Sequence, residues 1–168
     1  MSSEAGQLFP NKEQGHGFYM EMALKQASRA FKQDEVPIGA VVIQGNAVVG
    51  RGYNQRESLK DPTAHAEMIA ITAAANTKGD WRLNDCILYV TKEPCPMCAG
   101  AIVHCRLARV VFGAPDPKGG AAGSAMNLLQ FPTLNHQCEI TSGIMEADCC
   151  SLLQTFFREK RKSTPEDS

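Results

Sequence analysis

Two short stretches constrain this chain more than anything else in it: His65-Ala66-Glu67 and Pro94-Cys95-Pro96-Met97-Cys98. Cys95 and Cys98 stand three apart, so on the first turn of a helix their sulfurs share one face. Pro96 suits the first helical position because it has no N–H to leave unpaired. The positive end of such a helix, together with a metal, favours the thiolate, which is the form that binds zinc. A structural zinc site closes its shell with four Cys or His ligands, whereas a catalytic one takes three and leaves the fourth position to water. His65, Cys95 and Cys98 make three, which predicts one zinc ion per chain. Glu67 then remains as a carboxylate beside the metal that does not ligate it. In a regular helix positions i and i+2 do not face each other, so His65 and Glu67 belong at a helix start, where the entering chain is not yet helical.

Each fragment has a plainer reading when taken singly. A C-x-x-C pair is often a redox couple or half of a closed zinc site, and a lone His is more often a core residue. The joint pattern is what predicts a catalytic site, because the 26 residues between Glu67 and Pro94 read as helix, loop and strand.

At 168 residues the chain is one domain's worth, long enough to bury roughly 70% of its unfolded surface without staples. A formal net charge of −1 argues against a globally basic nucleic-acid binder, so any such surface has to be a local patch. Seven cysteines, with no signal peptide or transmembrane run, predict the reducing cytoplasm, no membrane partner and no disulfide. Cys86, Cys105, Cys138, Cys149 and Cys150 then read as buried free thiols.

Residues 1–17 carry Ser, Gly, Pro, Asn and charges without apolar period and read as a mobile extension; residues 18–162 form the zinc domain, and 163–168 read as a disordered tail. Met20, Leu24, Ala27 and Phe31 recur every three or four residues, predicting an amphipathic helix over 18–33. The runs Ile38–Ile43 and Ala47–Tyr53, parted by Gly45-Asn46, predict a hairpin. A helix is expected from His65 to about Thr77, a buried strand over 86–91, a helix over 97–104 and a strand over 108–113. The segment 114–136 is Gly- and Pro-rich and reads as a mobile connection, then as helical around 124–130. It lacks the order of a phosphate-binding loop. A strand at 138–141 and a helix carrying Ile144, Met145, Cys149, Leu152, Leu153, Phe156 and Phe157 complete the chain. Strands alternating with helices predict an α/β sandwich with partly parallel pairing and no repeat.

The blocks Glu35-Val36-Pro37-Ile38-Gly39-Ala40-Val41, Asp61-Pro62-Thr63-Ala64-His65-Ala66-Glu67-Met68 and Glu93-Pro94-Cys95-Pro96-Met97-Cys98-Ala99-Gly100-Ala101 resemble the cytidine-deaminase-like enzymes. Arg109–Ala114 with Gly120–Ser124, followed by a Phe-Phe-Arg end, narrows the resemblance to the bacterial tRNA-specific adenosine deaminases over residues 18–162. That resemblance implies a three-layer α/β/α fold with a five-stranded mixed sheet, and a homodimer that converts adenosine to inosine at the wobble position of a tRNA anticodon stem-loop. It also implies His65, Cys95 and Cys98 as zinc ligands, Glu67 as the proton shuttle, and Asn54, Ile38 and Ala66 around the base. Asn54 read from the sequence alone is equally a turn residue. Pro115 and Pro117 depart from the family, stiffening a loop that in relatives often carries more flexible or basic residues.

The chemistry follows from the ligand set together with what the resemblance implies. Zinc lowers the pKa of a bound water toward about 7, so a hydroxide is available to attack C6 of adenine while Glu67 moves the protons. The target nucleotide has to leave its stack, which costs less in a loop than in a duplex. Arg158, Lys160, Arg161 and Lys162 at the chain's end are candidate phosphate contacts, although cations there also complement a helix C-terminus. The alternative is a small-molecule deaminase acting on guanine, cytosine or a nucleoside. A third reading, a catalytically dead RNA-binding or scaffold subunit, leaves Glu67 without a purpose.

Overall fold

In a computed structural model, which describes residues 15–163, five strands form one mixed sheet in the order β2-β1-β3-β4-β5. Helix α1 (Gly15–Lys32) leads to β1 (Gly39–Gln44) and β2 (Ala47–Tyr53), a hairpin turned at Gly45-Asn46. The short α2 (Arg56–Leu59) and α3 (Ala66–Lys78) precede β3 (Cys86–Lys92), α4 (Pro96–His104) and β4 (Arg109–Ala114). Strand β5 (Glu139–Thr141) and α5 (Glu146–Ser163) follow. β1 runs antiparallel to both β2 and β3, whereas β3, β4 and β5 are mutually parallel. A parallel pair needs a crossover, and α4 supplies the one between β3 and β4.

The alternation of side chains along each strand builds two cores. Ala40, Val42, Leu88, Val90, Val110 and Phe112 face α3 and α4. Val41, Ile43, Ile87, Tyr89 and Val111 face Tyr19, Met20 and Ala23 of α1 and Cys149 of α5. Helices on both faces of the sheet make the three-layer α/β/α sandwich.

Small residues fix where α3 sits. It buries Ala66, Ala70 and Ala74, and β2 answers with Gly50 and Gly52. A Cβ on Gly52 would lie 2.3 Å from the Ala66 carbonyl oxygen, and one on Gly50 equally close to that of Ala70. Backbone therefore packs against backbone, and the first turn of α3 is held to the sheet at one depth.

Several expectations need correction. Residues 15–17, read as part of a mobile extension, form the first turn of α1 with Gly15 buried; residues 1–14 lie outside the described residues. Ser163 ends α5, and the tail beyond it is likewise outside. Residues 124–130 are turns and an isolated bridge between Ala122 and Asn127, not a helix. The run of apolar spacings there comes from a loop that buries Leu129. Ile144 and Met145 precede α5, and Met145 takes a positive φ of 53°. Cys150 is half-buried, whereas Cys86, Cys105, Cys138 and Cys149 are buried thiols as expected.

Candidate metal centre and active site

The N-termini of α3 and α4 converge on one point. His65 is the N-cap of α3 in extended conformation (φ −75°, ψ 152°), and Glu67 is the second residue of the helix. That break in backbone conformation is how residues two apart reach one site. Cys95 is the N-cap of α4, Pro96 its first residue and Cys98 its third.

His65 Nδ1 lies 3.6 Å from Cys95 Sγ and 3.5 Å from Cys98 Sγ, and the three ligand atoms all fall within 4.8 Å of one another. A tetrahedral zinc with ordinary Zn–N and Zn–S bonds separates nitrogen from sulfur by about 3.6 Å. The donor set and its spacing therefore fit zinc.

The electrostatics agree. Hydrogen bonding from the Cys98 thiol, with His65 beside it, lowers the Cys95 pKa to about 3 in spite of partial burial. Cys98 is pushed the other way by the neighbouring Cys95 sulfur and by burial. One proton is thus shared unequally between the two sulfurs, and a dication bound by both would favour losing it as well. His65 is raised, chiefly by its contact with Cys95. Glu67, 4% exposed, is raised by burial, although its own backbone N–H, His65 and the Cys98 thiol favour the charged form.

A cavity of about 230 Å³ opens on this cluster, lined by Val36, Ile38, Asn54, Arg56, His65, Ala66, Lys92 and Phe157. Ile38, Asn54 and Ala66, named from the sequence, are thus gathered at one wall. The Asn54 amide donates to the Val36 carbonyl at 3.3 Å, and its oxygen accepts the Arg56 N–H at 3.3 Å. Asn54 therefore serves the turn and the cavity together. A larger groove of about 600 Å³ adjoins this cavity, shares Val36, Asn54 and Arg56 with it, and extends to Phe156 and Lys160.

Of the four cations near the C-terminus, Lys160 is paired with Asp34 at 2.6 Å. Arg158 and Arg161 line a shallow depression beside Phe157. Sequence reasoning missed Arg56, Lys92 and Phe157 at the cavity, and two buried carboxylates. Glu35 accepts the N–H groups of Glu57 and Ser58 at 3.2 and 2.7 Å, anchoring α2. Glu93 holds the loop after β4. An acidic residue within two positions of a Pro, near a strand end, was the available signal for both.

The MafB19-like deaminase family matches residues 14–161. A tRNA-specific adenosine deaminase of Bacillus subtilis is 51% identical over 144 residues, covering 86% of this chain and 89% of the relative. The chain belongs to the tRNA-specific adenosine deaminase family. A solved structure from studies of A-to-I editing by tRNA:A34 deaminases at the wobble position of transfer RNA is 43% identical, with a TM-score of 0.77, covering 80% of this chain and 98% of that one. A guanine deaminase of Nitrosomonas europaea shares the fold at 20% identity, with a TM-score of 0.74 over 89% of this chain and 88% of its own. Among the described residues, no helix is long and apolar enough to cross a membrane.

Proposed function

We propose that this chain is a zinc-dependent hydrolase that deaminates adenosine to inosine at the wobble position of a tRNA anticodon loop. Glu67 is the observation that carries the chemistry: a buried carboxyl beside a His-Cys-Cys cluster whose His65 lines a cavity. His65, Cys95 and Cys98 hold the metal, which when bound supplies a water activated at neutral pH. Glu67 would accept one proton of that water as the oxygen bonds to C6 and deliver it to N1 of the adenine ring; it would then take the remaining hydroxyl proton and pass it to the amine, so that the C6–N bond breaks and ammonia leaves. Burial, which raises the Glu67 pKa, suits a group that must both take and return a proton near neutrality. Ile38, Ala66 and the Asn54 amide position the base.

Likeness to the tRNA-specific adenosine deaminases along 86% of the chain supports the RNA substrate, and Arg158, Arg161 and Lys162, exposed on α5, are its phosphate contacts, with Lys160 contributing once released from Asp34. The cytoplasmic homodimer implied by the family is part of the same proposal. The test is positional. Anticodon stem-loops carrying a single adenosine, either at the wobble position or one nucleotide away, are compared for ammonia release. The proposal expects turnover of the first alone, and equal turnover of both contradicts it.

A further inference from the structure

Glu93 stands between two parts of the site: Lys92 before it lines the cavity, and Cys95, two residues on, belongs to the cluster that could hold the metal. Its side chain is 3% exposed, yet its two oxygens accept four hydrogen bonds from one loop. Oε1 accepts the Asp116 N–H at 3.0 Å and the Ser124 hydroxyl; Oε2 accepts the N–H groups of Ala122 and Ser124 at 3.0 and 3.1 Å. Gly120 lets the backbone close over the carboxylate, since a Cβ there would come within 2.3 Å of Oε2. The adjoining Pro94 carbonyl accepts the Ala121 N–H at 2.8 Å. The Gly-rich segment read from the sequence as a mobile connection is therefore wound round a buried anion, and its charge-assisted bonds are the strong kind.

The loop carries Asp116, whose carboxylate meets the Lys92 ammonium at 3.4 Å. Asp116 is itself fixed by the N–H groups of Lys118 and Gly119, each at 3.1 Å. A chain of contacts thus runs from Glu93 through the loop to Asp116 and back to Lys92 on the cavity wall. An ammonium has no partner on a neutral free base, but a base within a strand arrives with a phosphate beside it.

We infer that Glu93 is a positioning residue: it seats the 115–124 loop so that Asp116 holds Lys92 toward the phosphate flanking the target base, favouring a strand over a free base. This rests on the RNA reading above. Glu93 moves no proton in the reaction and touches no substrate atom; it acts through Lys92.

The experiment measures metal content and steady-state kinetics on a wobble-adenosine stem-loop for the zinc-loaded chain and for Glu93→Gln, Lys92→Met and the double variant. Glu93→Gln keeps the size of the side chain but turns one acceptor into a donor facing N–H groups. The expected result is a KM raised about tenfold, the worth of one hydrogen bond to a charged group, with kcat and zinc content unchanged. Lys92→Met raises KM similarly and flattens its salt dependence, and the double variant is no worse than Lys92→Met alone. Ser124→Ala removes one of the four donors; it shows a smaller rise of the same kind and serves if Glu93→Gln does not fold. Wild-type KM in Glu93→Gln, a loss confined to kcat, or additive losses in the double variant would overturn the inference while leaving the RNA reading intact. Absence of stem-loop turnover by the unaltered chain refutes the RNA reading and this inference with it.

Discussion

At the scale of single residues, Glu67 and Cys95 are where the proposed chemistry and the proposed metal binding can be separated. Replacing Glu67 with Ala removes the proposed proton carrier but none of the three proposed ligands. Turnover should therefore fall by about 10²- to 10⁴-fold, while zinc content, read by metal analysis after dialysis, stays at one per chain. Cys95→Ala should lose both turnover and metal. Wild-type turnover by Glu67→Ala would remove the role assigned to that carboxyl. The contrast follows from where the two side chains sit: Cys95 lies within 3.6 Å of His65 in the ligand cluster, whereas Glu67 is a buried group beside it.

Elements matter through how closely they approach. The seat of α3 on β2 depends on Gly50 and Gly52 having no Cβ. Gly52→Ala forces the Ala66 end of α3 away from the sheet; overpacking of this kind costs about 1–3 kcal/mol, read by denaturant unfolding, and it should weaken zinc binding because His65 caps that helix. An unchanged unfolding midpoint would show that the packing is looser than the 2.3 Å approach implies. On α5, exposed as it is, the Lys160–Asp34 pair should contribute about 1 kcal/mol or less to stability. Replacing Lys160, Arg161 and Lys162 with Ala should instead weaken tRNA binding and reduce its log–log salt slope by about 0.7 for each phosphate that is no longer neutralised. Identical slopes between about 50 and 200 mM salt would remove this end of α5 from the RNA surface. Most of these elements were legible in the sequence, because continuous β-branched runs such as Val41–Ile43 and helical stripes such as Met20–Ala27 record burial directly. The loop after β4 was not. Its order comes from Glu93, which lies more than twenty residues earlier in the chain, and nothing local at Gly119-Gly120 reports a buried carboxylate. Lys92 and Arg56 escaped for a related reason, since a lone cation at a strand end or a loop reads as solvated surface until the fold turns it toward a cavity.

At the scale of the whole molecule, metal and fold are linked. In the proposed site His65 is one of three ligands that join α3 to α4, so a chelator should abolish turnover and lower the unfolding temperature, and added zinc should restore both. Free zinc at about 100-fold its dissociation constant stabilises by about 2.7 kcal/mol. The ligands bind as neutral imidazole and thiolates, so affinity should fall as pH falls and protons compete for the same atoms; zinc retention that is flat down to acid pH would argue against this ligand set. The most direct test of the central claim is incubation of the zinc-loaded chain with total tRNA and, separately, with free bases and nucleosides, reading inosine and other deaminated products by mass spectrometry. Inosine at the wobble position of tRNA, with no comparable deamination of the small molecules, is the predicted result; turnover of guanine, cytosine or a free nucleoside with tRNA left unchanged would contradict it.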